Sequence, residues 1–256
     1  MSTITGIPQA GGHQDQLSVD SNQPEKIIKK TSQKELEFYC SLVNQLEHPF
    51  TPSDKKVWSE WRPQFFGSLN FNKNNQVSII LENLTFKRPT SNQPIDQEKL
   101  FKHPNVIDIK LGQQLYDDQA PPEKKERMEK AALETTSAQF GIRLTGAQIW
   151  DNTKGEHYII PKSFGKSIKP DGSDLQINFN TFFPISDSNL VQGTSNGELF
   201  YLSGDDQNGF VQDFAVVKVI DFAHVQLFDS PDPGLLKGIQ STLNLFNQLS
   251  IQLSSI

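Results

Sequence analysis

Apolar and polar positions alternate along this chain in a way that predicts a series of strands and a few helices. Val77 to Leu84 is a β-branched apolar run and reads as a buried strand. In Asn105–Gly112, period two sends Ile107, Ile109 and Leu111 to one side and Asp108 and Lys110 to the other. Glu25–Lys30 predicts a short, lysine-rich strand. Phe140–Trp150 and Asp174–Phe183 also alternate as strands, though the second could equally open a helix. Glu198–Leu202 and Phe214–Ile220 read as further strands joined by the turn-rich stretch Gly204–Gly209.

The helical signals are fewer. Ser32 with Glu35 has the spacing of a capping box, and Leu36, Tyr39, Cys40, Leu42 and Val43 follow at helical intervals. Pro122–Glu134 opens on proline, places Glu123 in its first turn and interleaves Glu with Lys. Leu235–Leu253 is amphipathic, with Leu236, Ile239, Leu243 and Phe246 on one stripe expected to face the core. Residues 1–24 read as loops and weak edge strands, and residues 48–56 as a proline-containing connector. Trp58, Trp61, Phe65 and Phe66 are expected in the core. Lys87 to Pro104 is polar and proline-punctuated, a surface loop or short helix and the best boundary between two lobes.

Length and composition narrow the function. The 256 residues suffice for one large domain or two fused lobes. A net charge of -6 excludes bulk attraction to nucleic acid or to an anionic membrane, so a polyanion would have to be held by a local basic pocket. No apolar run approaches the roughly 18 residues of a membrane span, and the N-terminus lacks the pattern of a secretory signal. The single cysteine, Cys40, excludes an internal disulfide and is expected to be a small buried hydrophobe. Cytosol or nucleus is the expected compartment.

Two places carry candidate chemistry. Asp108 and Lys110 put an acid and a base on one face of an otherwise apolar strand, which is costly unless they are paired or bound. Asp221 follows the apolar run Val216–Ile220, where a carboxylate can hold a divalent cation over phosphates or simply cap a turn. Together they favour phosphoryl transfer, which asks for a lysine, a carboxylate-held metal and a group near the acceptor hydroxyl. There is no phosphate loop of the Gly-x-x-x-x-Gly-Lys type, no Gly-x-Gly-x-x-Gly and no metal-ligand spacing among the five histidines. On helix 122–134, Lys124 and Arg127 are neighbours that either present cations to a polyanion or belong to a solvated face.

Pro104-Asn-Val-Ile-Asp108-Ile-Lys110-Leu-Gly112 and Ile220-Asp221-Phe222-Ala223-His224 resemble the signature and metal motifs of the inositol polyphosphate kinases, and of their multikinase branch in particular. Gly11-Gly12-His13, Glu35–Tyr39, Leu81–Leu84, Gly112–Asp117 and Glu134–Ser137 resemble family segments in the same order. The resemblance implies an α+β, two-lobed fold related to protein kinases. A small β-rich N-lobe would span residues 1–84, a larger α+β C-lobe residues 85–256, and ATP would bind in the cleft.

The resemblance also assigns residues. Lys29 would contact ATP phosphates with Glu35 as its helix partner, and Glu82 and Leu84 would form the hinge at adenine. Ile28, Pro63 and Ile220 would wall the adenine pocket. Asp108 would lie near ribose and acceptor, and Lys110 would bridge acceptor hydroxyl and γ-phosphate as its catalytic partner. Asp221 would hold Mg²⁺. Lys124, Arg127, Lys162 and His224 would hold substrate phosphates.

By the same resemblance the substrates are soluble inositol tris- and tetrakisphosphates, with nuclear and cytoplasmic residence and transcription-factor or signalling partners. The family's Ser-Ser-Leu-Leu segment appears here as Ser195-Asn196-Gly197-Glu198-Leu199, after a shortened stretch. Those departures favour the alternative of a weakly catalytic scaffold. A kinase of inositol hexakisphosphate, making pyrophosphates, is the alternative within the class.

Overall fold

The computed structural model describes residues 10, 16–20, 22–43, 50–69, 77–85, 104–151, 154–183, 193–195, 198–200, 217–226 and 230–254. Gly11-Gly12-His13, residues 87–103 of the expected boundary loop and the turn at 204–209 lie outside them. The described residues form two compact units. The first holds residues 16–104 together with 217–226, and the second holds Ala10, residues 105–200 and 230–254. The segment carrying Asp221 thus belongs to the first unit.

The first unit is built on an antiparallel sheet of β1 (Leu17–Asp20), β2 (Gln23–Thr31), β3 (Phe65–Leu69) and β4 (Val77–Glu82), in the order β1-β2-β4-β3. Strict alternation on β4 buries Val77, Ile79 and Leu81 and leaves Ser78, Ile80 and Glu82 half-buried, as a strand with one covered face requires. Against that face packs α1 (Gln33–Val43) through Leu36, Phe38, Tyr39 and Leu42. Phe222 completes the cluster, stacked on Phe38 at 4.2 Å and edge-on to Tyr39 and Trp58.

Several expectations are corrected here. The proline-containing connector is largely helix: α2 (Pro52–Trp61) starts at Thr51, whose side chain and that of Asp54 form a full capping box. Trp58 and Phe65 pack against the core, whereas Trp61 and Phe66 are exposed. Residues 217–220, expected as the end of a strand, form no regular element. Val219 N–H and the Lys218 ammonium instead donate to carbonyls at the end of α2, those of Trp61 and Glu60.

The second unit has a three-stranded antiparallel sheet, β5 (Val106–Leu111), β6 (Ile142–Asp151) and β7 (Glu156–Ile160), in the order β5-β6-β7. Around it lie α3 (Pro122–Leu133), α4 (Thr136–Phe140), α5 (Lys162–Ser167), α6 (Leu175–Asn180) and α7 (Pro233–Ser254), with a separate strand pair β8 (Gly193–Ser195) and β9 (Glu198–Phe200). The core joins Ile142, Leu144, Ala147 and Ile149 of β6 to Phe164, Phe179, Phe182, Leu245 and Leu249. The segment Asp174–Phe183 resolves as helix α6 rather than a strand.

The Glu134–Ser137 segment earns its residue types locally. Thr135 caps α4 by accepting from Ser137 N–H, and the Thr136 hydroxyl donates to the Ile142 carbonyl at 2.6 Å. Both side chains are buried. Gly141 then ends α4 in the left-handed region at φ 65° and starts β6.

On α7 the burial departs from the expected stripe. Leu236, Ile239, Leu243 and Phe246 are 37–53% exposed. The covered positions are Gly234, Gly238, Leu245 and Leu249. Gly234 and Gly238 let the α7 backbone meet the end of β5 and the start of β6. A methyl group added at Gly141 would come within 2.8 Å of both Gly238 N and Gly234 O. Gly141→Ala is therefore expected to destabilise the protein by about 2 kcal/mol or more. The measurement is a urea unfolding curve with lowered midpoint, and an unchanged midpoint would contradict this close crossing.

Candidate functional site

Strand β2 and helix α1 bring the first set of functional side chains together. The Glu35 carboxylate is 1% exposed, so its charge survives only with partners. It has three: Oε1 accepts from Lys29 Nζ at 2.9 Å and from Phe222 N–H at 3.1 Å, and Oε2 accepts from the Thr31 hydroxyl. Only half of the expected capping box forms, because Glu35 N–H donates to Ser32 Oγ at 3.4 Å while the Glu35 side chain turns inward.

Lys29 Nζ also reaches Asp221 Oδ1 at 2.5 Å. Burial would lower the Lys29 ammonium, but the carboxylates of Asp221 and Glu35 outweigh it and hold the group above its ordinary value. Asp221 itself is 54% exposed and stands in the left-handed region at φ 68°, the one non-glycine residue with positive φ among the described residues. Strain of that kind persists where neighbours over-determine the backbone, here through the Phe222 N–H bond to Glu35 and the burial of the Phe222 ring. Ile220 and His224 flank it and are exposed.

The residues expected around adenine are distributed over the same unit. Ile28 is the cross-strand partner of Ile80, Pro63 is buried before β3, and Glu82 closes β4 by accepting from Gln64 N–H at 3.0 Å. Leu84 is half-buried. Sequence reasoning passed over Asn83, which is buried between them. Its amide donates to the Pro24 carbonyl at 2.8 Å and its oxygen accepts from Thr85 N–H and hydroxyl. A polar residue breaking a buried strand run was the available signal.

Arg62 was missed as well. Its guanidinium is buried, donates to the Pro63 carbonyl at 2.8 Å and lies 5.7 Å from the Tyr39 ring. Burial lowers it, with Tyr39 and Glu82 opposing. The Tyr39 hydroxyl is buried with no hydrogen-bond partner among the described residues. Burial chiefly, with Glu35 adding to it, pushes the phenol well above its usual range.

In the second unit, Asp108 and Lys110 share a face of β5, with Lys110 Nζ 3.5 Å from Asp108 Oδ1. The carboxylate is 17% exposed and the lysine 42%. Lys124 and Arg127 sit on α3, Lys124 in its first turn and half-buried, Arg127 exposed. The solvated alternative would pair these cations with helix glutamates. Instead Glu129 accepts from the Tyr116 hydroxyl at 2.6 Å, Glu134 lies 3.8 Å from Lys130, and Lys125 donates to the Asp118 carbonyl. Among the described residues, neither Lys124 nor Arg127 has a salt bridge. Lys162 is exposed at the start of α5. No group of three or more His, Cys, Asp or Glu side chains able to hold a metal occurs among the described residues.

Comparison with known proteins adds what geometry alone does not. The family model for inositol polyphosphate kinase matches residues 96–196. The inositol polyphosphate multikinase of Schizosaccharomyces pombe is 30% identical over 185 residues, 68% of this chain and 61% of that protein. That of Saccharomyces cerevisiae is 31% identical over 147 residues, 49% of this chain and 41% of that protein. The chain thus spans under two thirds of the length of either relative. The structure of the S. cerevisiae multikinase Ipk2, solved with ADP and Mn²⁺, superposes with a TM-score of 0.60 at 22% identity, covering 88% of this chain and 98% of that one. The fold is the α+β fold of the inositol phosphate kinases. Residues 96–196 match the inositol polyphosphate kinase family, and over 68% of its length the chain is similar to a multikinase of that family.

Two outcomes follow from the buried cluster. Glu35→Gln removes the charge that Lys29, Thr31 and Phe222 N–H share, and is expected to cost about 2–3 kcal/mol of stability, read from urea unfolding at pH 7. The second concerns alkaline pH. Lys29 and Tyr39 are both raised in the folded state, so the folded state binds more protons than the unfolded one above roughly pH 10. Stability is fully present below that pH and falls as pH rises beyond it. Tyr39→Phe should flatten part of this fall while leaving stability at pH 7 equal or higher, since the hydroxyl it deletes has no partner.

Proposed function

We propose that this chain is an ATP- and Mg²⁺-dependent kinase that phosphorylates hydroxyls of soluble inositol polyphosphates, inositol tris- and tetrakisphosphate first among them. The observation that carries the reading is the Lys29 ammonium held by a buried Glu35 on one side and an exposed Asp221 on the other. Glu35 fixes the lysine in place, so it meets phosphate oxygens already oriented. Asp221 presents a carboxylate over half exposed to solvent. One or two carboxylates completed by phosphate oxygens and waters are what Mg²⁺ takes, so a single aspartate fits this ion without a three-residue cluster. When bound, the ion would neutralise charge on the nucleotide phosphates. The S. cerevisiae relative's complex with ADP and Mn²⁺ supports the same nucleotide and metal class.

In this reading Ile28, Pro63, Leu84 and Ile220 flank adenine, and the Glu82 segment offers its backbone. The acceptor hydroxyl oxygen bonds to the γ-phosphorus as the bond to ADP breaks, and the hydroxyl proton passes to Asp108. Lys110 offsets the charge of the transferred group. Lys124, Arg127, Lys162 and His224 hold the phosphates already on the ring. In this reading an acidic protein takes an anionic substrate through a local basic pocket rather than through its overall charge. We place it in nucleus and cytoplasm, with transcription-factor or signalling partners, on family resemblance.

The test is ATP-dependent phosphate transfer by the purified chain onto inositol tris-, tetrakis-, pentakis- and hexakisphosphate, with Asp221→Asn alongside. Transfer to the lower phosphates that drops by at least about a hundredfold in the variant is the expected result. Transfer confined to the hexakisphosphate would move the chain to the pyrophosphate-forming branch. Folded protein that phosphorylates none of the four would overturn the kinase reading in favour of a scaffold.

A further inference from the structure

Strands β5 and β6 pair with Lys110 directly opposite Arg143, Leu111 opposite Ile142 and Ile109 opposite Leu144. Cross-strand partners share a face of the sheet. Ile109 and Leu111 accordingly pack on the core with Ile142 and Leu144. Arg143 stands on the other face with Lys110 and, two residues along, Asp108. Two cations directly opposite one another repel, so the pair is unfavourable unless an anion lies between or above them.

One such anion is present. Asp108 lies 3.5 Å from Lys110 and acts electrostatically on Arg143 as well. The Asp108 carboxylate thus faces both cations of the strand pair. Arg143 is half-buried, and burial lowers its guanidinium more than Asp108 restores it. No hydrogen bond engages that guanidinium among the described residues. Two residues on, the register slips between Asp108 and Ile109, which leaves Thr145 as the extra residue of a bulge on β6. Its hydroxyl is buried and also without a partner. A partly desolvated guanidinium with unspent donors is suited to gripping phosphate with paired hydrogen bonds.

We propose that Arg143 is a phosphate-binding residue that works with Lys110 across the strand pair, so that the two cations together clasp one phosphoryl group of the reaction. The proposal rests on the kinase reading above. The phosphoryl group belongs either to ATP or to the acceptor, and kinetics separates these sources.

The experiment compares unmutated protein with Arg143→Gln and Arg143→Lys, using steady-state kinetics with ATP and inositol trisphosphate varied in turn. Melting curves verify folding. The expected result is a KM for one of the two ligands raised on the order of tenfold or more in Arg143→Gln, partial recovery in Arg143→Lys, and melting within a few degrees of unmutated protein. A raised KM for ATP alone assigns the nucleotide phosphate, and one for inositol trisphosphate alone assigns the acceptor. Equal KM and kcat in Arg143→Gln and unmutated protein would overturn this role while leaving the kinase reading intact. If unmutated protein transfers no phosphate, the kinase reading fails separately, and calorimetric titration with ATP and with inositol trisphosphate decides for Arg143. Binding weakened in Arg143→Gln supports it, and equal or absent binding sinks it. A variant that melts far below unmutated protein, with Arg143→Lys restoring fold but not affinity, would likewise overturn it.

Discussion

A carboxylate shut away from water at Glu35 is the constraint around which the first unit is arranged. Burying an unpaired charge is prohibitive, so every neighbour of Glu35 is committed to it. The requirement draws Lys29 and Thr31 from β2, and the Phe222 amide from a segment 187 residues further along. Once Phe222 N–H points at Glu35, the Phe222 ring falls onto Phe38 and Trp58, and Asp221 before it is bent into a left-handed conformation. The lysine and aspartate that serve the proposed chemistry are therefore positioned by a core interaction, and stability and function share the same atoms.

The second unit solves a different problem. Its sheet is crossed by α7 where three glycines, Gly141, Gly234 and Gly238, remove the side chains that would otherwise hold the backbones apart. That crossing secures the ends of β5 and β6, the strands bearing Asp108, Lys110 and Arg143. A hydrogen bond from Gly112 N–H to the Gly141 carbonyl at 2.8 Å ties the same corner. The last glycine of the Pro104–Gly112 signature thus acts on the strand geometry rather than on phosphate directly.

How far the residues announced this arrangement depended on the kind of force involved. Strands β4 and β5 were legible because period-two burial is a direct consequence of backbone geometry. The covered face of α7 was not: pattern reading seeks large apolar residues, and here Leu245 and Leu249 share the contact surface with Gly234 and Gly238, which have least to bury. Helix α2 hid behind Pro52, whose place in the first turn permits a helix as readily as a connector. Phe214–Ile220 looked like a strand, but its described end spends its donors on the carbonyls closing α2. Asp221 stood out at the end of an apolar run and Glu35 as half of a capping box. The role of Lys29 beside Glu35 came from family resemblance, and no local pattern links Lys29 to Asp221, 192 residues further on. Asn83 left a trace as a polar residue in an apolar run, whereas Arg62 and Arg143 required three-dimensional partners to acquire meaning.

The return of residues 217–226 to the first unit bears on how the molecule is assembled during synthesis. When the ribosome has completed β4, the sheet and α1 exist as sequence, yet the amide that Glu35 needs and the ring that fills its core are more than a hundred residues from being made. Until then the Glu35 carboxylate lacks one of its donors and the aromatic cluster lacks a ring, so the core of the first unit stays incomplete. Vectorial folding, in which the first-made part settles first, is inverted: the early sheet is finished by a late segment, and a nascent chain halted before residue 217 exposes apolar surface to chaperones and proteases.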